Sequence, residues 1–306
     1  MKIISIDKVR LLSEDIRELQ SMSEVILYSD SPKDINEVQE RIRDADILIV
    51  NTYPLSPKEL RFASHLKLVC VFGTGYDFID TEYLKQNNIL VCNAPRYSTE
   101  STAEHAVGLI LHASRLVSKA ERDLRNGVWS PHAYKGCEIK GRKIGIIGYG
   151  NIGKRISEIV KQGFGMDVEY VNSSSVRSEL EHLLKTCDVI SLNVSLNSKT
   201  KNLISDAEFD LMKDGVVIVN TSRGAVIDQD ALIRNLTSGK VFAAGLDVLE
   251  SEPISKDNPL LSFDNVVLTP HMGFKSMESE KRISEIVKNN TVDFIHGHPR
   301  NIVNLQ

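Results

Sequence analysis

Short β-branched apolar runs alternate with amphipathic stretches along almost the whole chain. From Lys2 to Pro95 the runs are KIISI, VILYS, DILIV, LKLVCVF and ILVCNAP, and the segments between them, such as INEVQERIRDA, repeat at helical spacing. Continuous apolar runs this short read as strands buried on both faces, and their alternation with helices predicts a parallel sheet wrapped by helices, an α/β unit of its own. A second series, KIGIIG, DVEYVN, DVISLNV, GVVIVNT, VFAAGLDV and NVVLTP, predicts six more strands, the number in the two mononucleotide-binding halves of a doubly wound, Rossmann-type sheet.

Two helices join these series. The stretch from Ser98 to Gly127 opens with capping hydroxyls and acids, is apolar on more than one face and stops at Asn126-Gly127. It predicts one long helix that needs cover at a domain crossing or a subunit contact. The amphipathic stretch from about Ser276 to His296 predicts a last helix that carries the chain back to the first unit. The expected organisation is therefore two domains: a discontinuous one formed by 1–98 and 288–306, taken as the substrate domain, and a dinucleotide-binding one formed by 99–287.

Composition narrows the class. The chain has 306 residues, 42% of them hydrophobic and 25% charged, enough for two packed cores. A net charge of -4 with Lys and Arg spread along the chain argues against a nucleic-acid or anionic-membrane partner and favours small molecules. The apolar start is broken by Asp7 and Lys8, and no run approaches the ~20 apolar residues of a membrane span, which places the chain in the cytoplasm. Cys70, Cys92, Cys137 and Cys187 are too widely spaced for a zinc clip and read as buried free thiols, so no metal is expected.

Directly behind KIGIIG stand Gly148, Gly150 and Gly153, followed by an amphipathic helix that Asn151 and Ile152 open. Glycines in this setting suit a dinucleotide: Gly148 for the tight turn, Gly150 for close approach of a pyrophosphate, Gly153 for packing of helix on strand. The acid expected at the end of the next strand, to hold the adenosine ribose, is replaced by Asn172, with Ser173, Ser174, Ser175 and Arg177 after it. A carboxylate there would repel a 2'-phosphate, whereas an amide, hydroxyls and a guanidinium can bond to one. The pattern points to NADP over NAD, with Arg177 as a plain solvated residue the competing reading.

Ligands of open α/β sheets sit at the carboxyl ends of the strands. Three consecutive strands deliver ionisable residues there: Arg223, then Asp247 and Glu252, then His271. Singly each has an ordinary explanation as a turn or surface residue. Together they supply what hydride reduction of a carbonyl needs: a proton donor in His271, a carboxylate to favour its imidazolium in Glu252, and a guanidinium to fork onto a substrate carboxylate in Arg223. Asp247 is placed to meet the nicotinamide carboxamide.

At this point the chain resembles the D-isomer-specific 2-hydroxyacid dehydrogenases. The likeness runs from about Leu66 to Asn304 through GTGYDFID, NAPRYSTESTAEHAVGLIL, GRKIGIIGYGNIG, VNTSRGAVIDQDAL, AAGLDVLESEP, LTPHMGF and GHPRNIVN. The resemblance implies a flavodoxin-like substrate domain beside the Rossmann domain, and a homodimer built partly on the helix near Ala103. It makes Arg223, Glu252 and His271 catalytic, adds Thr221 to the cofactor contacts, and assigns Tyr53 and the turn Phe72, Gly73, Thr74 and Gly75 to the substrate. PRYSTEST resembles the glyoxylate/hydroxypyruvate reductases; D-lactate- or phosphoglycerate-type dehydrogenases, and a non-catalytic cofactor-sensing corepressor-like protein, are the alternatives. The chain departs from the family at Asn193-Val194-Ser195, where many members have His-x-Pro, and at Phe274 and Lys275, where small residues are common.

Overall fold

A computed structural model describes residues 1–305. The chain divides into two compact units, Met1–Ser98 together with the chain from Ser276 onward, and Thr99–Lys275.

In the first unit β1 (Lys2–Ser5), β2 (Glu24–Leu27), β3 (Ile47–Val50), β4 (Leu68–Val71) and β5 (Leu90–Cys92) form a parallel sheet in the order β2-β1-β3-β4-β5. That is the flavodoxin order. Strands β3 and β4 are buried along their whole length, which is why they read as unbroken apolar runs rather than as alternation. One face is covered by Val38 and Ile42, the other by Leu19, Ile283 and Val287.

Ile283 and Val287 lie on the last helix, Met277–Ile295, which Ser276 caps by accepting from the Ser279 amide. The whole helix belongs with the first unit, so the chain returns at Ser276 and not at the expected boundary of 288. The reason is its apolar face: packed with Ile3, Leu19 and Cys70, it completes a core that half a helix would leave open.

After that helix the tail lies against the edge strand β5. Ile302 bridges Cys92 in antiparallel fashion, and the Val303 amide donates to the Val91 carbonyl at 2.8 Å. The side chain of Asn304 then acts as one more peptide group, accepting from the Val91 amide at 2.9 Å and donating to the Ile89 carbonyl at 2.8 Å. All three residues are buried.

In the second unit β6 (Lys143–Ile147), β7 (Asp167–Val171), β8 (Val189–Leu192), β9 (Val216–Asn220), β10 (Val241–Leu246) and β11 (Val266–Leu268) are again all parallel, in the order β11-β10-β9-β8-β6-β7. After β7 the chain passes back over β6 to lay β8 on its other side. The direction of winding therefore reverses between β6 and β8, and β9, β10 and β11 stand side by side.

The predicted helix from Ser98 to Gly127 is two helices, Thr99–Arg115 and Val117–Arg125, separated by Leu116 at φ 53°. The Cys137 amide takes the Ser114 carbonyl at 2.8 Å, and a Cβ on Gly136 would lie 2.5 Å from the same oxygen. A returning segment thus occupies the place where the helix would continue. The first helix is deeply buried through Ala103, Ala106, Leu109 and Ile110; the second buries no residue.

The tail pairing gives a stability prediction. Asn304→Leu leaves a buried amide and a buried carbonyl without partners and should lower stability by roughly 2–4 kcal/mol in urea unfolding. A change below about 0.5 kcal/mol would show that water replaces the side chain at no cost.

Candidate active site

The glycine loop follows β6, at the reversal of the sheet. Gly148 has φ 96°, and a Cβ on it would lie 2.4 Å from the Asn193 carbonyl oxygen, so the turn there admits glycine alone. A Cβ on Gly153 would lie 2.2 Å from the Gly148 oxygen, which ties helix Asn151–Phe164 closely to the loop. In front of Gly150 there is nothing within 4 Å. The helix begins at Gly150 with no side-chain cap, leaving its first N–H groups for an anion. Two further buried groups lack partners at the neighbouring strand ends, Asn193 Oδ1 after β8 and Thr221 Oγ1 after β9. Open space at the central glycine, uncapped amides and orphaned acceptors fit a dinucleotide laid across these ends.

Beyond β7, Asn172 Oδ1 accepts from the Ser174 amide at 2.9 Å and the Ser174 hydroxyl at 2.6 Å, folding residues 172–175 into a turn. Arg177, expected to stand ready for a phosphate, is already engaged: it pairs with Glu208 at 2.6 Å and with Glu181 at 3.2 Å. Burial raises the Glu208 carboxyl, but hydrogen bonds from Ser205 and Arg177 outweigh it and hold the group below its usual range.

Two of the expected ionisable residues, Glu252 after β10 and His271 after β11, do come together. His271 Nδ1 lies 2.7 Å from Glu252 Oε2, and the other carboxylate oxygen accepts from the Leu249 amide at 3.0 Å. Burial raises the Glu252 carboxyl; the His271 hydrogen bond, the Leu249 amide and the charges of His271 and Arg223 prevail and hold it below the usual carboxylate range. Glu252 thus stays ionised at Nδ1, and Nε2 is the imidazole nitrogen left for another partner. Arg223 stands on the loop after β9, where its Nη1 donates to the Ser222 carbonyl at 3.0 Å and its charge lowers the Glu252 carboxyl. Asn220 accepts from the Ser222 amide at 3.0 Å and donates to the Arg223 carbonyl at 2.8 Å. A Cβ on Gly224 would sit 1.9 Å from the Leu249 carbonyl carbon, so only glycine lets the two loops touch. The Phe274 ring stands edge-on to the imidazole, centroids 5.9 Å apart.

Asp247 has a different occupation from the one expected. Only 2% exposed, it accepts from Thr269 Oγ1 at 2.6 Å, the Met272 amide at 2.9 Å and the Gly273 amide at 2.8 Å, while its carbonyl accepts from the His271 amide at 2.8 Å. Burial raises its carboxyl, and donors from His105, Thr269, Met272 and Gly273 outweigh that and hold it low. The carboxylate grips the turn that carries His271, whose backbone is left-handed at φ 50°.

Tyr53 and the turn Phe72–Gly75 belong to the first unit. The turn is tied to the segment after β5: the Ala94 amide donates to the Gly73 carbonyl at 2.8 Å, Thr74 Oγ1 donates to the Ala94 carbonyl at 2.9 Å, and Asn93 donates to the Thr74 carbonyl at 2.7 Å. The loop of Tyr53 is held by a residue that sequence reasoning used only as a break in an apolar run. Asp7, 1% exposed, accepts from the consecutive amides of Asn51, Thr52 and Tyr53 at 2.8, 2.7 and 3.0 Å. Its signal was a charge at the end of a buried strand.

Comparison with known proteins gives the family. Residues 107–273 match the family model described as D-isomer specific 2-hydroxyacid dehydrogenase, NAD binding domain. A hydroxypyruvate reductase of Blautia hydrogenotrophica is 37% identical over 99% of this chain and 100% of its own. A glyoxylate reductase of Korarchaeum cryptofilum is 37% identical over 94% of this chain and 92% of its own. Among solved structures, an acyclic imino acid reductase, Bsp5, in complex with NADPH and D-Arg superposes with a TM-score of 0.91 at 32% identity, covering 99% of this chain and all of that one. With the matched domain ending on the very turn that holds His271, and with relatives that align end to end, the chain belongs to the D-isomer-specific 2-hydroxyacid dehydrogenase family.

Proposed function

We propose that this dehydrogenase reduces short 2-oxo acids of the glyoxylate and hydroxypyruvate type to D-2-hydroxy acids. The observation that carries the reading is the 2.7 Å contact of His271 with an ionised Glu252, whose carboxyl the charge of Arg223 also lowers, at the ends of adjacent strands. When bound, the nicotinamide cofactor supplies the hydride to the carbonyl carbon. His271 delivers the proton to the carbonyl oxygen from Nε2, and Glu252 at Nδ1 fixes the orientation of the ring. Arg223 forks onto the substrate carboxylate and polarises the adjacent carbonyl. Tyr53 and the Phe72–Gly75 turn are the substrate contacts of the first unit. Gly148, Gly150, Asn151, Ile152, Gly153, Asn172, Ser173, Ser174 and Thr221 hold the dinucleotide, and Asp247 anchors the turn that carries His271.

His271→Ala should lower kcat by about 10²–10⁴-fold while cofactor affinity changes little. Steady-state kinetics with glyoxylate, hydroxypyruvate and pyruvate, each with and without an amine, tests this; undiminished turnover removes His271 from the mechanism. The amine arm asks whether imine substrates compete, as the name of Bsp5 suggests. Loss of no NADPH or NADH with any substrate would favour the non-catalytic, cofactor-sensing reading.

NADP is the proposed cofactor over NAD. Its support is the missing acid at Asn172 and the hydroxyls after it, while Arg177 is held by Glu208 and Glu181. Asn172→Asp should move the NADPH to NADH ratio of kcat/KM toward NADH by at least about tenfold through like-charge repulsion. A ratio that stays put would end the argument.

A homodimer is proposed on the arm after the long helix. Leu124 is 54%, Val128 50% and Trp129 80% exposed, on a segment that buries nothing within the chain. Sedimentation should give about twice 34.2 kDa, and Trp129→Glu should shift it toward the monomer. A wild-type chain that sediments as a monomer overturns this.

A further inference from the structure

Helix Thr99–Arg115 sends one polar ring to the buried carboxylate beneath the proton donor. His105 Nε2 lies 3.0 Å from Thr269 Oγ1 and 3.2 Å from Asp247 Oδ1. Thr269 spends its own hydrogen on Asp247, at 2.6 Å, and an ionised carboxylate can only accept. Both neighbours of Nε2 are therefore acceptors, and Nε2 carries the hydrogen.

We propose that His105 is a positioning residue for proton delivery, holding His271 in register with Glu252 through Asp247 and Thr269. The inference rests on the reading of His271 as the proton donor. Of the donors on the Asp247 side chain, the Thr269 hydroxyl and the amides of Met272 and Gly273 belong to the turn itself. His105 is the one that comes from a separate element, and so ties the turn to a helix packed against β9 and β10 by Ala106, Leu109 and Ile110. The contact is close: a Cβ on Gly273 would lie 3.1 Å from His105 Cδ2 and 2.9 Å from Asp247 Oδ2. A left-handed residue that is not glycine keeps its conformation only where its surroundings over-determine it, and His271 is such a residue. Without the His105 donor, a charge that is almost fully buried is left short of a partner. The carboxylate then turns to seek another, and the Met272 and Gly273 amides that follow the imidazole move with it.

A histidine that merely satisfies the core would affect melting and leave the chemistry alone. Two variants separate the cases, because His105→Phe keeps the ring's bulk without a donor and His105→Gln keeps a donor. The phenylalanine chain should lose about ten- to a hundredfold in kcat, as expected for a misplaced reacting group. Its KM for NADPH and NADH should stay within about twofold of wild type. The solvent deuterium isotope effect on kcat should rise, since delivery of the proton becomes limiting, and the glutamine chain should recover most of the lost rate. A phenylalanine chain within about twofold of wild-type kcat and with an unchanged isotope effect overturns the inference. So does a glutamine chain as slow as the phenylalanine one. If the phenylalanine chain does not fold, His105→Leu takes its place. Wild-type protein run in parallel keeps the two readings apart: no turnover of any 2-oxo acid by wild type refutes the site and this inference with it, whereas normal wild-type turnover beside an unimpaired variant refutes this inference alone.

Discussion

A carboxylate buried between two parallel strands is the constraint on which the rest of the site depends. Asp247 is 2% exposed and still held below the usual carboxylate range, a combination possible only because donors fill its lone pairs. Filling them dictates the local chain. The Met272 and Gly273 amides must face inward, residue 273 must lack a side chain, and His271 is turned into the left-handed region. The position of the imidazole is therefore a consequence of satisfying a charge, and its partner Glu252 meets it from the loop that follows the same strand.

The sheet order distributes the tasks. Strands β9, β10 and β11 stand together and deliver Arg223, Glu252 and His271, while the glycine loop opens where the winding reverses between β6 and β8. Between these groups lie the orphaned Asn193 Oδ1 and Thr221 Oγ1. Buried polar groups without a partner are rare in folded proteins, and these two stand at the ends of neighbouring strands.

The first unit uses the same device on a different loop. Three consecutive amides converge on buried Asp7 and fix the loop of Tyr53, much as Asp247 fixes the turn of His271. At the sheet's far edge Asn304 closes what would otherwise be an open strand, which protects β5 from pairing elsewhere. The closing motif of the family resemblance thus has a structural purpose in this chain.

The strands, the glycine turn and the residues at the strand ends were legible in the sequence because each depends on local order: apolar runs of strand length, glycines behind one of them, ionisable residues after three others. Local order also suggested features that it could not decide. A helical pattern ran unbroken through Leu116, yet the break there is imposed by Gly136 and Cys137 arriving from further along the chain. Arg177 stood in the right place for a phosphate, but the carboxylates that hold it come from elsewhere on its helix and from Glu208. The return of the chain at Ser276 was set by which core the last helix completes. The partnership of His105 with Asp247 and Thr269 joins residues far apart in the chain and leaves no periodic trace. Periodicity reports which face of an element is buried; which charge meets which donor is settled only when separate elements pack, since the cost of a buried, unpaired group is a property of the assembled core.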